Sequence, residues 1–417
     1  MDRLKRIPAW AWLALGFLLR AGFAASLGSR SIQTDESAFS DGAWNLAAAG
    51  RLIPPVTASS PFATFAFSLF YRFGHYPVLP RLFNAVVSIA TAWMIGRATR
   101  DLTGSERAGR FALALSCVYP FFIYWSGVLM SETLYTAFIV WGTWELGKSL
   151  LGRSELAGAA RAGLSLGLAG ITRPEGAYIW AVIWGFAAAA CLARRWSWKA
   201  WSLALLCWAL PLIALCARNQ AGGGRFALDL HSGSTLLHGT MFFDQNEIDT
   251  AVAVKAMESE PFYQEAQKLP PAERDKVLTH KAFEFMREHP RTVLRQWARK
   301  FVNFWRFYPR SDKPFIENTV SHPGAGLSRK ALVAISLCFE PWLVTLGVLG
   351  LVFLTLYEPR LFPMPLFLLG TLGIHMLSVS QMRYRVPVTP WLILAASWLL
   401  CERMLPRAPE ERPRTRP

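Results

Sequence analysis

Residues 8–27 read PAWAWLALGFLLRAGFAASL, an apolar run interrupted only by Arg20. After a short link, residues 34–52 read TDESAFSDGAWNLAAAGRL. The first stretch has the length a helix needs to cross bilayer hydrocarbon, about 20 residues. The second is different in kind. Ala38, Phe39, Ala43, Leu46 and Ala47 recur at helical spacing, Gly50 marks a stop, and Asp35 and Glu36 stand side by side at the start. The pattern predicts a short amphipathic helix with two carboxylates in its first turn. Those acids have an ordinary explanation, because carboxylates complement the positive end of a helix dipole and Thr34 suits an N-cap. Whether they also do chemistry depends on what surrounds them.

Working outward, the chain of 417 residues is 53% hydrophobic, with 18 Trp and 28 Phe. A soluble protein of this length is rarely so apolar. Short alternating strands, the signature of a membrane barrel, are missing from the sequence. The expected fold is an all-α polytopic membrane protein of about ten transmembrane helices. Spans are expected at 8–27, 77–97, 111–129 and 132–149. Two more lie within 163–192, broken at Thr172-Arg173-Pro174-Glu175-Gly176. The rest are 201–217, 331–356, 361–379 and 388–404. The first span is not read as a signal peptide, since Arg20 interrupts it and no clean cleavage site follows. Residues 61–73 are aromatic but too short to span and are expected along the interface.

Domain organisation follows from where apolarity stops. Residues 1–217 form an N-terminal transmembrane catalytic module with a first outer loop at 28–76. Residues 218–328 are polar and form a small outer module. Residues 329–404 return to the membrane, and 405–417 form a disordered, Pro- and Arg-rich tail. Within the outer module, 271–288 reads as a helix that starts at a proline. Residues 291–307 read as an amphipathic helix on the membrane surface.

The net charge is +16, from 44 Lys and Arg against 28 Asp and Glu. The basic loops at 97–110, 148–161 and 194–199 all fall on one side of the ten-span topology, which makes that side cytoplasmic. The excess charge therefore needs no nucleic acid, and no aromatic-basic nucleic-acid motif is found. The six cysteines show no CxxC spacing and read as small buried hydrophobes. His375, inside a span, reads as a packed polar residue.

The same topology puts Asp35, Glu36, Glu132, Arg173, Arg218, Arg383 and Arg385 on the outer face, with Arg81 at the outer end of its span. Each has a plain alternative. Arg81 can snorkel, Glu132 can complement its helix dipole, Arg173 can pair with Glu175, and Arg383 and Arg385 can anchor at the interface. Together they place carboxylates and guanidiniums at one membrane face beside an apolar bundle. That suits transfer of a group from a lipid-linked phosphate donor. The bundle holds a polyprenyl tail, Arg81, Arg173, Arg218, Arg383 and Arg385 are the donor-phosphate candidates, and Asp35, Glu36 and Glu132 are the candidate catalytic carboxylates. No Gly-rich nucleotide loop is present, which argues against a soluble nucleotide donor. No metal ligand is assigned. The ligand set near Asp35 and Glu132 is incomplete, and a divalent cation there stays open.

The ordered motifs resemble the GT-C superfamily of integral-membrane glycosyltransferases, especially its protein-mannosyltransferase-like and aminoarabinose-transferase-like bacterial members. They are Asp35-Glu36-Ser37-Ala38-Phe39 with Ala43-Trp44-Asn45-Leu46 and Gly50, then Pro80-Arg81-Leu82-Phe83-Asn84. Ser131-Glu132-Thr133-Leu134-Tyr135, Thr172-Arg173-Pro174-Glu175-Gly176 and Arg218-Asn219 follow. Ser232-Gly233, His238-Gly239 and Arg383-Tyr384-Arg385-Val386-Pro387 complete the set. The resemblance implies an inverting glycosyltransferase that uses a polyprenyl-phosphate-linked sugar. Asp35 would be the base, the acceptor an envelope lipid, glycan or protein, and the active site periplasmic on the inner membrane. Phe39 departs from the family's tyrosine, and the chain is shorter than relatives with a large C-terminal soluble domain. A lipid or glycan transporter and a non-catalytic envelope-assembly protein are the alternatives. A transporter would place polar groups deep within its spans, and a scaffold would tolerate loss of Asp35.

Overall fold

The computed structural model describes residues 7–32, 35–51, 60–194, 196–222, 224–248, 250–308 and 329–404. Thr34 and the tail from residue 405 lie outside them. The described residues are helical, without a strand. The bilayer explains this, because a helix satisfies its own backbone hydrogen bonds where no water can.

The first half runs α1 (Ala9–Leu27), α2 (Glu36–Ala48), α3 (Pro61–Tyr71), α4 (Val78–Thr103), α5 (Glu106–Val118), α6 (Pro120–Gly127), α7 (Glu132–Leu150), α8 (Glu155–Thr172), α9 (Pro174–Leu192) and α10 (Trp198–Ala221). The segment between α10 and the last spans holds α11 (Ser232–Gly239), α12 (Phe243–Ile248), α13 (Thr250–Glu258), α14 (Pro261–Gln267), α15 (Pro271–Glu288) and α16 (Pro290–Trp305). Then come α17 (Arg329–Tyr357), α18 (Pro363–Leu377), a 3-10 turn Met382–Arg385 and α19 (Thr389–Leu399).

A helix stands at each of the ten expected spans. Among the described residues, six are long and apolar enough to cross a membrane, and seven if the pair α5 and α6, bent by 48°, counts as one span. Of the three that fall short, α7 and α8 carry charged residues and α19 is only 11 residues long. Nearly all of α19 is buried, as is most of α7. Helices packed against helices need not be as apolar as helices facing lipid. The chain is a multi-pass membrane protein.

Two local features show how the bundle closes. Gly163 and Gly167 lie one turn apart on α8, facing α10. A Cβ at Gly163 would sit 2.1 Å from the Ala204 carbonyl oxygen, and one at Gly167 would sit 2.5 Å from that of Trp208. The two backbones touch, as small residues allow in membranes. The second feature is Arg20, which is fully buried in α1. Pro120 has no N–H to give the Ser116 carbonyl, and the helix breaks there. Arg20 donates to Ser116 O at 3.0 Å and Cys117 O at 2.7 Å, and also to Ser88 Oγ at 2.8 Å. The charge that interrupts the first apolar run is thus the cap of the α5–α6 break.

The helix expected at the interface, α3, instead packs its Ala63, Phe67 and Tyr71 against Ala43 of α2 and against Leu129 and Leu134. Its apolar face is therefore turned into protein. Between α10 and the last spans, Leu237, Phe242, Ala253, Met257, Ala266, Leu278 and Ala282 form a separate small core. Helix α16 is tied to the bundle by Lys300, which is buried and donates to Met376 O at 2.9 Å and Leu377 O at 3.2 Å. An ammonium at the last carbonyls of α18 also complements that helix's dipole.

Candidate active site at the outer end of the bundle

The adjacent acids of the first loop diverge. Glu36, in the first turn of α2, is completely buried. Its carboxylate accepts from the Ile32 N–H at 2.9 Å, the Leu129 N–H at 3.1 Å and the Arg81 guanidinium at 2.8 Å. Arg81, 1% exposed, also donates to Gly28 O and Arg30 O at 2.5 Å each. Glu36 and Arg81 therefore pin the first loop to α4 and to the α6–α7 connection. Arg81 does not snorkel; its charge is consumed within the protein.

Asp35 takes the N-cap position, but its side chain makes no capping bond. It reaches instead to Arg383, Oδ2 to Nη1 at 3.0 Å, and stays 42% exposed. The 3-10 turn Met382–Arg385 presents Arg383 there. The second terminal nitrogen of Arg383 donates to the Tyr384 hydroxyl at 2.9 Å, and its guanidinium lies 4.9 Å from that ring. Its Nε is buried without a hydrogen-bond partner among the described residues. Burial opposes the charge on Arg383, but Tyr384, Asp35 and Glu132 outweigh it and hold the group above its ordinary range.

A second guanidinium comes from the α8–α9 break. Pro174 ends α8, and Arg173 is left in extended backbone as the N-cap of α9. Arg173 donates to Glu132 at 3.0 Å and to Glu175 at 2.5 Å. It also lies over the rings of Tyr135, at 5.7 Å, and Tyr384, at 5.5 Å. Ser60 donates to Thr172 O at 2.6 Å and so joins the first loop to this break. The expected Arg173–Glu175 pair is present. The other oxygen of Glu132 is buried without a hydrogen-bond partner among the described residues.

Two histidines complete the surroundings. His375 stacks on Tyr384, with centroids 3.9 Å apart and planes at 16°. Its Nδ1 is 3.0 Å from the Val379 carbonyl, an acceptor, so Nδ1 carries the proton and a neutral ring leaves Nε2 as acceptor. His238 comes from α11. Burial lowers its pKa, and nearby Asp35 pulls the other way. Its Nε2 is buried without a hydrogen-bond partner among the described residues.

The sequence-predicted residues thus separate. Asp35, Glu132, Arg173 and Arg383 gather around Tyr384. Glu36 and Arg81 form a closed pair. Arg385, 3% exposed, is bound by Glu340 and donates to Phe304 O at 2.7 Å and Arg306 O at 3.2 Å, while Tyr119 also bonds Glu340. Arg218, in the last turn of α10, donates to Asn219 Oδ1 at 2.8 Å. Tyr384, His375, His238 and Glu340 were not singled out from sequence as site or anchor residues. Tyr384 and His238 stand inside motifs that were noted, and that was their only signal.

Among the described residues, no group of three or more His, Cys, Asp or Glu is placed to hold a metal ion. Asp35 and Glu132 each face a guanidinium. These residues do not fit a divalent cation, and no step is routed through one.

No family model matches the chain, and no curated protein matches it. Solved structures do. The apo oligosaccharyltransferase of Archaeoglobus fulgidus matches with a TM-score of 0.53 at 14% identity, over 95% of this chain and 51% of that one. The oligosaccharyltransferase AglB from the same organism, with an inhibitory peptide and a dolichol-phosphate, matches at 0.48 and 14% identity, over 95% and 50%. ArnT from Cupriavidus metallidurans bound to undecaprenyl phosphate matches at 0.40 and 14% identity, over 93% and 77%. The chain spans about half the length of the oligosaccharyltransferases it matches. Its helices follow the architecture of the first of these, and the chain shares the fold of that oligosaccharyltransferase.

Proposed function

We propose that the protein is an inverting glycosyltransferase that moves a sugar, hexosyl or pentosyl, from a polyprenyl-phosphate donor to an envelope lipid, glycan or protein. The carrying observation is the Asp35–Arg383 pair, a partly exposed carboxylate on a guanidinium at one end of the bundle. The fold shared with an oligosaccharyltransferase supports the same class of reaction.

In this reading the donor's phosphate takes the place of Asp35 on Arg383. The cluster holds three carboxylates, Asp35, Glu132 and Glu175, against two guanidiniums, so a phosphate gains a cation only by exchange. Released Asp35 accepts the proton of the acceptor O–H or N–H. The acceptor atom attacks the anomeric carbon from the face opposite the phosphate. The carbon–oxygen bond to phosphate breaks, its electron pair stays on the phosphate, and the anomeric configuration inverts. A phosphate leaves as a stable anion, so no strong general acid is needed. Arg173 holds Glu132 and Glu175 in place and presents Tyr384 to the same space. His238 brings the outer segment into the site. Glu36, Arg81 and Arg385 position these groups from behind. The site faces the periplasm from the inner membrane in this assignment.

The test compares envelope glycans and lipid-linked sugars by mass spectrometry in cells with the gene deleted, restored, and restored as Asp35→Asn. Loss of a general base costs about 10²–10⁴-fold. Asp35→Asn should therefore match the deletion while remaining folded in the membrane. Near-normal transfer by that variant rules out Asp35 as base, and an unchanged glycan profile in the deletion rules out the transferase reading.

A further inference from the structure

At the end of the bundle away from Asp35, α1, α4 and α5 enclose a cleft of about 550 Å³. Gly96 of α4 and Gly109 of α5 make its floor. A Cβ at Gly96 would lie 2.8 Å from Leu113 Cβ, and one at Gly109 would lie 2.9 Å from the Gly96 carbonyl oxygen. The two backbones meet there, and the start of α1 forms the facing wall. The cleft has two halves. Trp12, Trp93 and Leu113 line the apolar one, while Arg97, Arg100 and Arg110 line the other, with Glu106 as the only carboxylate in the lining among the described residues.

The charges do not cancel. Arg100 is taken by Asp101 at 2.8 Å, and Glu106 lies 3.3 Å from Arg110 and 3.9 Å from Arg100, which leaves one carboxylate for Arg97 and Arg110 together. Arg97 pairs with no carboxylate among the described residues, and its guanidinium lies 5.4 Å from the Trp93 ring. Arg81 and Arg97 lie on the same helix and are separated by about 24 Å at 1.5 Å per residue. The cleft therefore sits near one membrane interface when Asp35 sits near the other. Beside it, α1 exposes Trp10, Leu15 and Leu18. A soluble anion would have no use for the apolar wall, whereas a lipid uses both halves.

We propose that this cleft binds an anionic phospholipid of the leaflet opposite Asp35. The phosphodiester lies on Arg97 and Arg110, and an acyl chain runs past Trp12, Trp93 and Leu113. Basic pockets between helices at a membrane face suit this chemistry. The proposal does not depend on the transferase reading.

The experiment is native mass spectrometry of the purified full-length protein titrated with phosphatidylglycerol or phosphatidylcholine of matched chains. Thermal unfolding with inorganic phosphate is a third arm. The parent should retain phosphatidylglycerol in preference to phosphatidylcholine, and inorganic phosphate should not stabilise it. Arg97→Gln should weaken phosphatidylglycerol about fivefold, and Arg97→Gln with Arg110→Gln about 25-fold. Arg97→Lys should keep most of the binding. Arg194→Gln, in an exposed turn between α9 and α10, should change nothing. Equal retention of the two lipids by the parent overturns the proposal without any variant. So does equal stabilisation by inorganic phosphate, or an equal loss on Arg194→Gln.

Discussion

Replacing Glu36 with glutamine keeps the side chain's shape and removes its charge. The Ile32 N–H bonds one carboxylate oxygen, and the Leu129 N–H and Arg81 share the other. An amide with one oxygen therefore sets its NH₂ donor against donor on one side or the other, and leaves the Arg81 charge without a counter-charge in either orientation. Arg81 is 1% exposed and Glu36 0%, so no water can take over. Breaking such a pair from one side costs about 3–5 kcal/mol, because a charge stays buried without its partner. That is about a hundredfold to a few thousandfold in the ratio of folded to unfolded protein. Asp35→Asn, one residue away, changes a side chain that is itself 42% exposed, and Arg383 keeps its bond to Tyr384, so the cost should be under about 1 kcal/mol. Denaturant unfolding in one fixed detergent, followed by tryptophan fluorescence, reads both variants. Glu36→Gln combined with Arg81→Met should lose less than the sum of the single losses, since the two residues share one interaction. Glu36→Gln unfolding with Asp35→Asn, or strict additivity with Arg81→Met, would refute the division of roles between the two acids.

Two further perturbations test the frame around the site. Arg20→Leu strips the caps from the Ser116 and Cys117 carbonyls at the Pro120 break. It should destabilise the protein by about 2–4 kcal/mol in the same unfolding assay, since bonds to a charged group contribute about 1.5–3 kcal/mol each. A fully tolerated Arg20→Leu would show that the carbonyls find other partners. His238 has a folded pKa below its ordinary value near 6.5 because it is buried. As pH falls through that value the unfolded chain binds the proton first, so stability drops below about pH 6.5 and is recovered above it. His238→Gln should flatten the dependence of thermal unfolding between pH 7.5 and 5.5; an unchanged slope would remove His238 as its source.

Much of the architecture was legible in the sequence because it depends on local pattern. The lengths of the apolar runs, Pro61 and Pro271 at helix starts, and the break at Arg173-Pro174 all became observed helix boundaries. Where the expectation fell short, the reason was packing. Helix α3 is aromatic enough for an interface, yet its apolar face is taken by α2. The Gly163–Gly167 pair gains its meaning only when Ala204 and Trp208 lie against it.

For the site, sequence order and topology were enough to collect the acids and arginines at one face, and the composition alone made the chain a helical membrane protein. Only the tertiary structure could divide them. Asp35 and Glu36 differ by one residue, which turns side chains about 100° apart on a helix. One carboxylate therefore enters the protein and is satisfied by Arg81 and two backbone N–H groups. The other meets Arg383, 348 positions later in the chain, while still open to solvent. That separation is a property of what packs around the helix, and no local pattern carries it.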